Sequence, residues 1–344
     1  MSMRKQPAKR TALQQVMIVL YIIAVALSLM VVISFVALKL FAPPPDVPGQ
    51  VEFPLPTGTA TPPVQSADVT DGPTVTDSPP PETLTLHRRK GVYTCLLLGV
   101  ADEGGSDTIM LGVFDTERKT ASLVSIPRDT VANYKGKNMK LNATYSYGGA
   151  KAVAQCVFEM LAVPVDYYVT VDFRAFQGIV NAIGGVWFDV PPGMNYDDPE
   201  QNLHIHLAPG YQKLNGEDAL KMVRCRNAYD SQDIGRAATQ RAFLVALVKQ
   251  TVTLSNVINP DRVTKLINIL NTYVKTDMPV NDMVFFGTQA VGMDLDTALT
   301  SSVLSTNWIS PYIVPSEAEV LKLVNSLRIY EEEVPASVLR LAHP

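Results

Sequence analysis

Hydrophobic positions along this chain follow three patterns, and each marks a different kind of segment. Residues 16–38 (VMIVLYIIAVALSLMVVISFVAL) are continuously apolar apart from two serines. A helix of that length rises about 35 Å, enough to cross the hydrocarbon core of a bilayer. Arg4, Lys5, Lys9 and Arg10 precede it with no acidic residue among them. The excess of positive charge predicts a cytoplasmic N-terminus, with everything after the span outside. The run is too long for the apolar region of a cleaved signal peptide. No small-residue cleavage site follows it directly, so an uncleaved signal anchor is expected.

From residue 93 onward, short apolar runs alternate with helical periods. Residues 93–100 (YTCLLLGV), 107–114 (DTIMLGVF) and 120–126 (TASLVSI) read as strands, the last two joined by a polar turn and paired. After Gly148-Gly149, apolar residues at 153, 156, 157, 160 and 161 mark a helix over 150–161. Strands are expected at 165–173 and 186–190, with a helix over 175–183 closed by Gly184-Gly185. A further helix begins over 215–222, and a long amphipathic one covers 233–253. Residues 257–330 read as mainly helical and packed on the same body. No internal repeat is visible. Interleaved strands and helices predict an α/β domain with a central sheet covered by helices.

Composition separates these two regions. Residues 42–86 hold 12 of the 25 prolines and 8 threonines. So little apolar surface cannot offset the entropy of ordering, and the segment is expected to be an extended stalk. The boundaries expected are therefore a cytoplasmic tail over 1–15, a membrane span over 16–38 and a disordered linker over 39–88. A core over 89–254 and a C-terminal helical part over 255–344 follow, with an end that need not be ordered.

Charge narrows the chemistry. Five of the 29 basic residues and none of the 33 acidic ones fall in the first 41 residues, so the remainder carries −9 rather than the −4 of the whole chain. Such a domain is not a general nucleic-acid binder. Three cysteines exclude a disulfide-stapled scaffold and a Cys-rich zinc site. Cys95 and Cys156 occupy apolar positions. Ser125 lacks a Gly-x-Ser-x-Gly turn, and His204 and His206, although on one face of a strand, lack visible further ligands.

Three motifs remain. Ser125-Ile126-Pro127-Arg128-Asp129-Thr130 follows a strand directly, where ligand groups gather in α/β sheets. Arg224-Cys225-Arg226 puts two guanidiniums on one face only if the segment is extended, where they suit a diphosphate. If it stays helical they diverge. Asp233, Arg236 and Gln240 share a helix face, with Leu244, Leu247 and Val248 assigned to the opposite, inward stripe. Taken alone, Asp233 is as well explained by favourable placement at a helix N-terminus. Asp107 and Lys140 add a carboxylate and a cation. Carboxylate oxygen with phosphate oxygens suits a hard cation, and no P-loop is present.

In order, LLLGV…SDTIMLGVFD, SLVSIPRDT, KLNATYSYGG, VDYYVTVDF, NAIGGVWFDV, LAPGYQKLNGEDALKMVRCR and DIGRAATQ resemble the LytR-CpsA-Psr family of cell-wall glycopolymer transferases. The resemblance implies an α/β/α sandwich around a central mixed sheet, with an apolar lipid pocket beneath an arginine-rich diphosphate site. It implies transfer of a glycopolymer from a polyprenyl-pyrophosphate carrier to peptidoglycan, with Mg²⁺ (or Mn²⁺) as cofactor and pyrophosphatase chemistry as a side activity. It carries over Asp107 as a metal ligand, with Arg128, Arg224, Arg226 and Arg236 as diphosphate binders. Asp129, Lys140, Asp233 and Gln240 fill supporting positions, and Asp107, Arg128 and Asp129 form the expected catalytic group.

The chain also departs from the family. Ala101 stands where a first metal-binding Asp is expected, with Asp102 one residue away. Gly105 and Thr239 stand where arginines are expected. The expectation is thus a membrane-anchored, extracytoplasmic phosphotransferase of a Gram-positive type of envelope. The alternative is a relative that binds polyprenyl diphosphate or wall polymer without transferring it. A transcriptional attenuator, a role attached to the family's name, would need a basic cytoplasmic domain, and only about 15 residues are expected there.

Overall fold

The structure, a computed structural model, describes residues 43–55, 82–100, 104–199, 203–229, 233–251, 260–290 and 293–344. The expected span over 16–38 and most of the expected stalk lie outside these residues. Among the described residues no helix is long and apolar enough to cross a membrane. The chain divides into two compact units, one of 1–45 with 279–288 and one of 46–278 with 289–344. The central sheet and both apolar cores belong to the second.

In chain order the strands are β1 (Gln50–Pro54), β2 (Thr83–His87), β3 (Val92–Val100), β4 (Ser106–Asp115), β5 (Thr120–Ser125), β6 (Val131–Tyr134) and β7 (Lys137–Lys140). Helix α1 (Leu141–Leu161), β8 (Tyr167–Val171), α2 (Phe173–Ala182), β9 (Val186–Val190), β10 (Asn195–Asp198), β11 (Leu203–His206) and β12 (Gly210–Leu214) follow. Then come α3 (Gly216–Arg224), α4 (Asp233–Thr251), α5 (Pro260–Tyr273), β13 (Val274–Thr276), α6 (Val280–Ala290), α7 (Leu295–Ala298), β14 (Leu299–Val303), β15 (Thr306–Ile309), β16 (Tyr312–Pro315) and α8 (Glu317–Leu327).

Six strands form one mixed sheet in the order β13-β8-β3-β4-β5-β14. β8 runs parallel to β3 and β14 parallel to β5; the other neighbours are antiparallel. Alternation along the strands divides the sheet's two faces. Leu96 and Leu98 of β3, with Ile109 and Leu111 of β4, point into a core completed by Val153, Val157 and Leu161 of α1. Leu97 and Thr108 point the other way, toward α2 and α4. A second core joins Val180, Val186, Leu214, Met222 and Phe243 on that side.

The expected helix after Gly148-Gly149 is real, but a helical segment also precedes it. The two glycines interrupt α1 as a kink. Gly149 has φ +64, and a side chain at Gly148 would collide with the Tyr134 hydroxyl, so both positions require glycine.

Two parts depart from expectation. Within the proline-rich segment, β1 and β2 pair antiparallel, and alternation buries Phe53 and Leu86 in the first core. Proline density masked this short β pattern. The C-terminal part is largely helical as expected, but it also carries strands: β13 and β14 supply both edges of the central sheet, and β15 and β16 form a hairpin. Runs of three to five residues flanked by helical patterns carry too little periodicity to identify as strands. A buried ion pair also escaped notice. Arg88 donates to both carboxylate oxygens of Asp166 (2.6 and 2.7 Å), which also accepts from the Thr94 backbone N–H at 2.8 Å.

Candidate functional site

The antiparallel register of β4 and β5 pairs Met110 with Ser125. Continued three residues past β5, it sets Asp107 opposite Arg128. There Arg128 donates to Asp107 Oδ1 at 2.5 Å. Pro127 lacks the N–H to extend the ladder, so the chain turns at this sheet edge. The ends of β3 and β8 reach the same edge. Asp172 caps α2 by accepting from the Ala175 N–H, and the Phe173 ring follows at once.

Helix α3 stops at Arg224. Cys225 is extended (φ −64, ψ 125) and fully buried, so the condition set for the Arg-Cys-Arg motif is met. Arg224 and Arg226 both line a cavity of about 1290 Å³ on the α2–α4 side of the sheet, and Arg224 stacks on Phe173 at 4.8 Å. Arg128, Asp107, Arg236 and Gln240 line the same cavity. Thr108, Asp172, Asp198 and Asn227 add further polar groups, and a large apolar part of the wall is built from Leu97, Val169, Phe176, Ile179, Phe243, Leu244 and Leu247.

Helix α4 unites the two halves. Arg236, Gln240, Leu244 and Leu247 recur at intervals of four, four and three residues and line one cavity. The expectation that Leu244 and Leu247 occupy the opposite stripe is therefore corrected. A single face of α4 changes from polar to apolar along its length, and the 3.6-residue period keeps the whole series inward. The amino end of the helix, favourable for anions, lies at the arginine end.

Gln240 serves as a cross-tie. The Thr108 hydroxyl donates to its Oε1 at 2.9 Å, and its Nε2 donates to the Val223 carbonyl at 2.9 Å. The amide thereby joins β4, beside Asp107, to the residue before Arg224. Asp129 and Lys140 stand outside the cavity lining and pair with each other at 3.2 Å. In this structure Asp129 therefore meets Lys140 rather than the cavity. The start of α1 is tied to the same loop, since the Asn142 N–H donates to the Arg128 carbonyl. Asp233 opens α4. Asp102 and Ala101 lie outside the described residues.

At the departures, Gly105 lines the cavity, whereas Thr239 is buried and its hydroxyl lies 2.5 Å from the Tyr229 hydroxyl. Tyr229 explains Gly235 as well, because a Cβ there would sit 2.4 Å from its ring. Phe173, Thr108 and Tyr229 were missed by sequence reasoning, since nothing local distinguishes them from core residues.

Among the described residues no group of three or more His, Cys, Asp or Glu is placed to hold a metal. His204 and His206 flank Asp197 across the β10–β11 hairpin. The hydrogen bond from His204 holds the Asp197 carboxyl below the usual range. The donor set at the cavity nevertheless suits a hard cation. Asp107 supplies one carboxylate, and such ions take their remaining ligands from phosphate oxygens and water. Burial pushes the Cys95 and Cys156 thiols up to about 12 and also raises that of Cys225, which disfavours their thiolate forms.

A sequence model of the LytR_cpsA_psr family matches residues 65–328. Polyisoprenyl-teichoic acid–peptidoglycan teichoic acid transferase TagV of Bacillus subtilis is 33% identical over 191 residues, 52% of this chain and 48% of that protein. TagU of Bacillus cereus, named for the same activity, is 32% identical over 213 residues, 60% of this chain and 67% of its own. The chain spans about half the length of the first of these relatives. Among solved structures, TagT bound to LIIa-WTA aligns with TM-score 0.59 and 27% identity, covering 69% of this chain and 90% of that one. The crystal structure of B. subtilis TagV aligns with TM-score 0.59 and 27% identity over 70% of this chain and 96% of its own.

Proposed function

The chain belongs to the LytR_cpsA_psr family, and from that premise we propose that it is a membrane-anchored, extracytoplasmic phosphotransferase. It takes a glycopolymer from a polyprenyl-pyrophosphate carrier and joins it to peptidoglycan. One observation carries this reading: Arg128, Arg224, Arg226 and Arg236 line the same cavity as a large set of apolar side chains, among them Leu97, Val169, Phe176, Phe243 and Leu247. An amphipathic donor with an isoprenoid tail and a diphosphate head matches that combination. The volume also exceeds the range of about 300–1,000 Å³ usual for small-molecule pockets.

In the proposed reaction, a peptidoglycan sugar hydroxyl attacks the phosphorus attached to the glycopolymer. A new P–O bond forms, the P–O bond to the bridging oxygen breaks, and polyprenyl phosphate leaves. The hydroxyl proton passes to a base. The product is a phosphodiester. The arginines orient the diphosphate by bidentate hydrogen bonds and spread the charge that builds on its oxygens. Asp107 is the carboxylate among the described cavity residues best placed to take part, and it also fixes Arg128. Mg²⁺ or Mn²⁺ bound by Asp107 and the diphosphate would supply further charge neutralisation.

A second reading, donor binding without transfer, is favoured by one observation. Thr239 offers a hydroxyl bonded to Tyr229 where the family pattern has a guanidinium. Calorimetric titration with farnesyl diphosphate and a turnover assay for polyprenyl phosphate release separate the two. Arg224→Ala and Arg226→Ala are each expected to weaken farnesyl diphosphate at least about tenfold, the loss of a charge-assisted bond. Unchanged affinity in both refutes the diphosphate site. Binding with no release by the wild-type chain selects the second reading.

A further inference from the structure

Trp187 of β9 and Tyr211 of β12 form a stacked pair on the outer face of the two-stranded sheet these strands make, with centroids 5.5 Å apart and planes 15° from parallel. They are 47% and 71% exposed, unusual for two large aromatics in contact. The inward positions of the same strands, Val186, Val190 and Leu214, are buried. The exposed face is therefore the expected face of a well-registered strand pair, not a slipped one.

Its place relative to the cavity gives it meaning. The Gln250 side chain accepts from the Trp187 N–H and donates to the Trp187 carbonyl, both at 2.9 Å. Gln250 lies one turn beyond Leu247, the last residue of α4 on the cavity wall. Arg236 to Gln250 spans about 21 Å of helix. Along α4 the order is thus diphosphate end, apolar wall, aromatic pair.

We propose that Trp187 and Tyr211 form a shelf that rests on the membrane surface and turns the apolar end of the cavity toward the bilayer. The inference deepens the donor reading above and rests on it. A donor held by its head at the arginines directs its tail along α4 to this shelf. Trp and Tyr are the side chains favoured at a lipid–water interface, each with an apolar body and a polar handle. Lys213, paired with Trp187 on the same face, adds a headgroup contact, while Asp189 on that face cancels its charge. The contact is therefore driven by the rings rather than by net charge. A stacked aromatic pair can also hold a sugar. The glycan, however, leaves the diphosphate on the side opposite the lipid, away from the apolar wall.

Only two tryptophans occur in the chain, Trp187 and Trp308. Trp308 lies on the β15–β16 hairpin, where the Ile313 N–H donates to the carbonyl of Asp129, next to Arg128. The full chain in proteoliposomes of brominated phosphatidylcholine with phosphatidylglycerol tests the shelf. With Trp308→Phe, Trp187 is the sole emitter and is expected to lose most of its fluorescence to the bromines. With Trp187→Phe, Trp308 is expected to retain most of its own. Equal quenching of the two, or an unquenched Trp187, overturns the proposal. Quenching of Trp187 by chitin oligosaccharides in place of lipid also overturns it and assigns the pair to glycan. Farnesyl diphosphate titration of the Trp187→Ser/Tyr211→Ser variant keeps the two readings apart. Wild-type affinity there, with the quenching result above, supports a shelf separate from the donor site. Donor affinity lost in the variant makes the pair part of the cavity and overturns the shelf.

Discussion

Gln240 shows how a neutral side chain governs charged ones. Both ends of its amide are used within the protein, by the Thr108 hydroxyl and the Val223 carbonyl. It is a positioning residue, setting the distance between the Asp107–Arg128 pair and the Arg224–Arg226 pair. Thr108→Val keeps the shape and removes only the donor, leaving Gln240 Oε1 unpaired at a cost of about 1–3 kcal/mol. The expected result is a severalfold weaker titration of farnesyl diphosphate and a small fall in melting temperature. Arg224→Ala on the variant background should then cost less than on wild type, because the cross-tie no longer aligns that guanidinium. Additive losses would mean Thr108 contributes only to stability. The arginines and Asp107 were legible in the sequence because their motifs, taken in order, resemble those of a known family. Thr108, Phe173 and Tyr229 were not, because their roles arise from contacts across 132, 51 and 10 positions of chain with Gln240, Arg224 and Thr239 respectively.

At the scale of elements, the strands of the central hairpins and the long helices were read from periodicity alone. The short strands at both sheet edges were hidden by their length. The β1–β2 hairpin is the clearest case, because composition argued against any structure there. Phe53 is 4% exposed, stacks on Phe158 of α1 at 5.5 Å and meets Tyr330 edge-on at 6.5 Å. Arg340 also donates to the Pro54 carbonyl at 2.6 Å, so the hairpin is held from the C-terminal side as well. Phe53→Ala is expected to cost about 3–5 kcal/mol, read from the denaturant midpoint at constant slope. A loss below about 1 kcal/mol would mean that the hairpin merely rests on the domain. In the proposed anchored chain, the folded part would then begin at β1 rather than at residue 89.

For the whole molecule, the difficulty is that a part carrying −9 is proposed to hold an anion. Beyond about 10 Å, salt screens most of that repulsion, so the outcome rests on the four guanidiniums and a divalent cation. Asp107 stands between these two sources of charge. Its carboxylate repels a diphosphate in the absence of metal, anchors Arg128 at 2.5 Å, and is the group proposed above to bind Mg²⁺. Asp107→Asn keeps the shape and a hydrogen-bond acceptor while removing the charge. In chelator, the variant should therefore bind farnesyl diphosphate as tightly as the wild type or more so. With Mg²⁺, the wild type should gain affinity and the variant should not, so that the two titrations cross. If Asp107 serves only to hold Arg128, the variant binds more weakly by the same factor in both conditions, and the metal assignment falls while the arginine site stands. The crossing is a sharper criterion than lost turnover, which either role would produce.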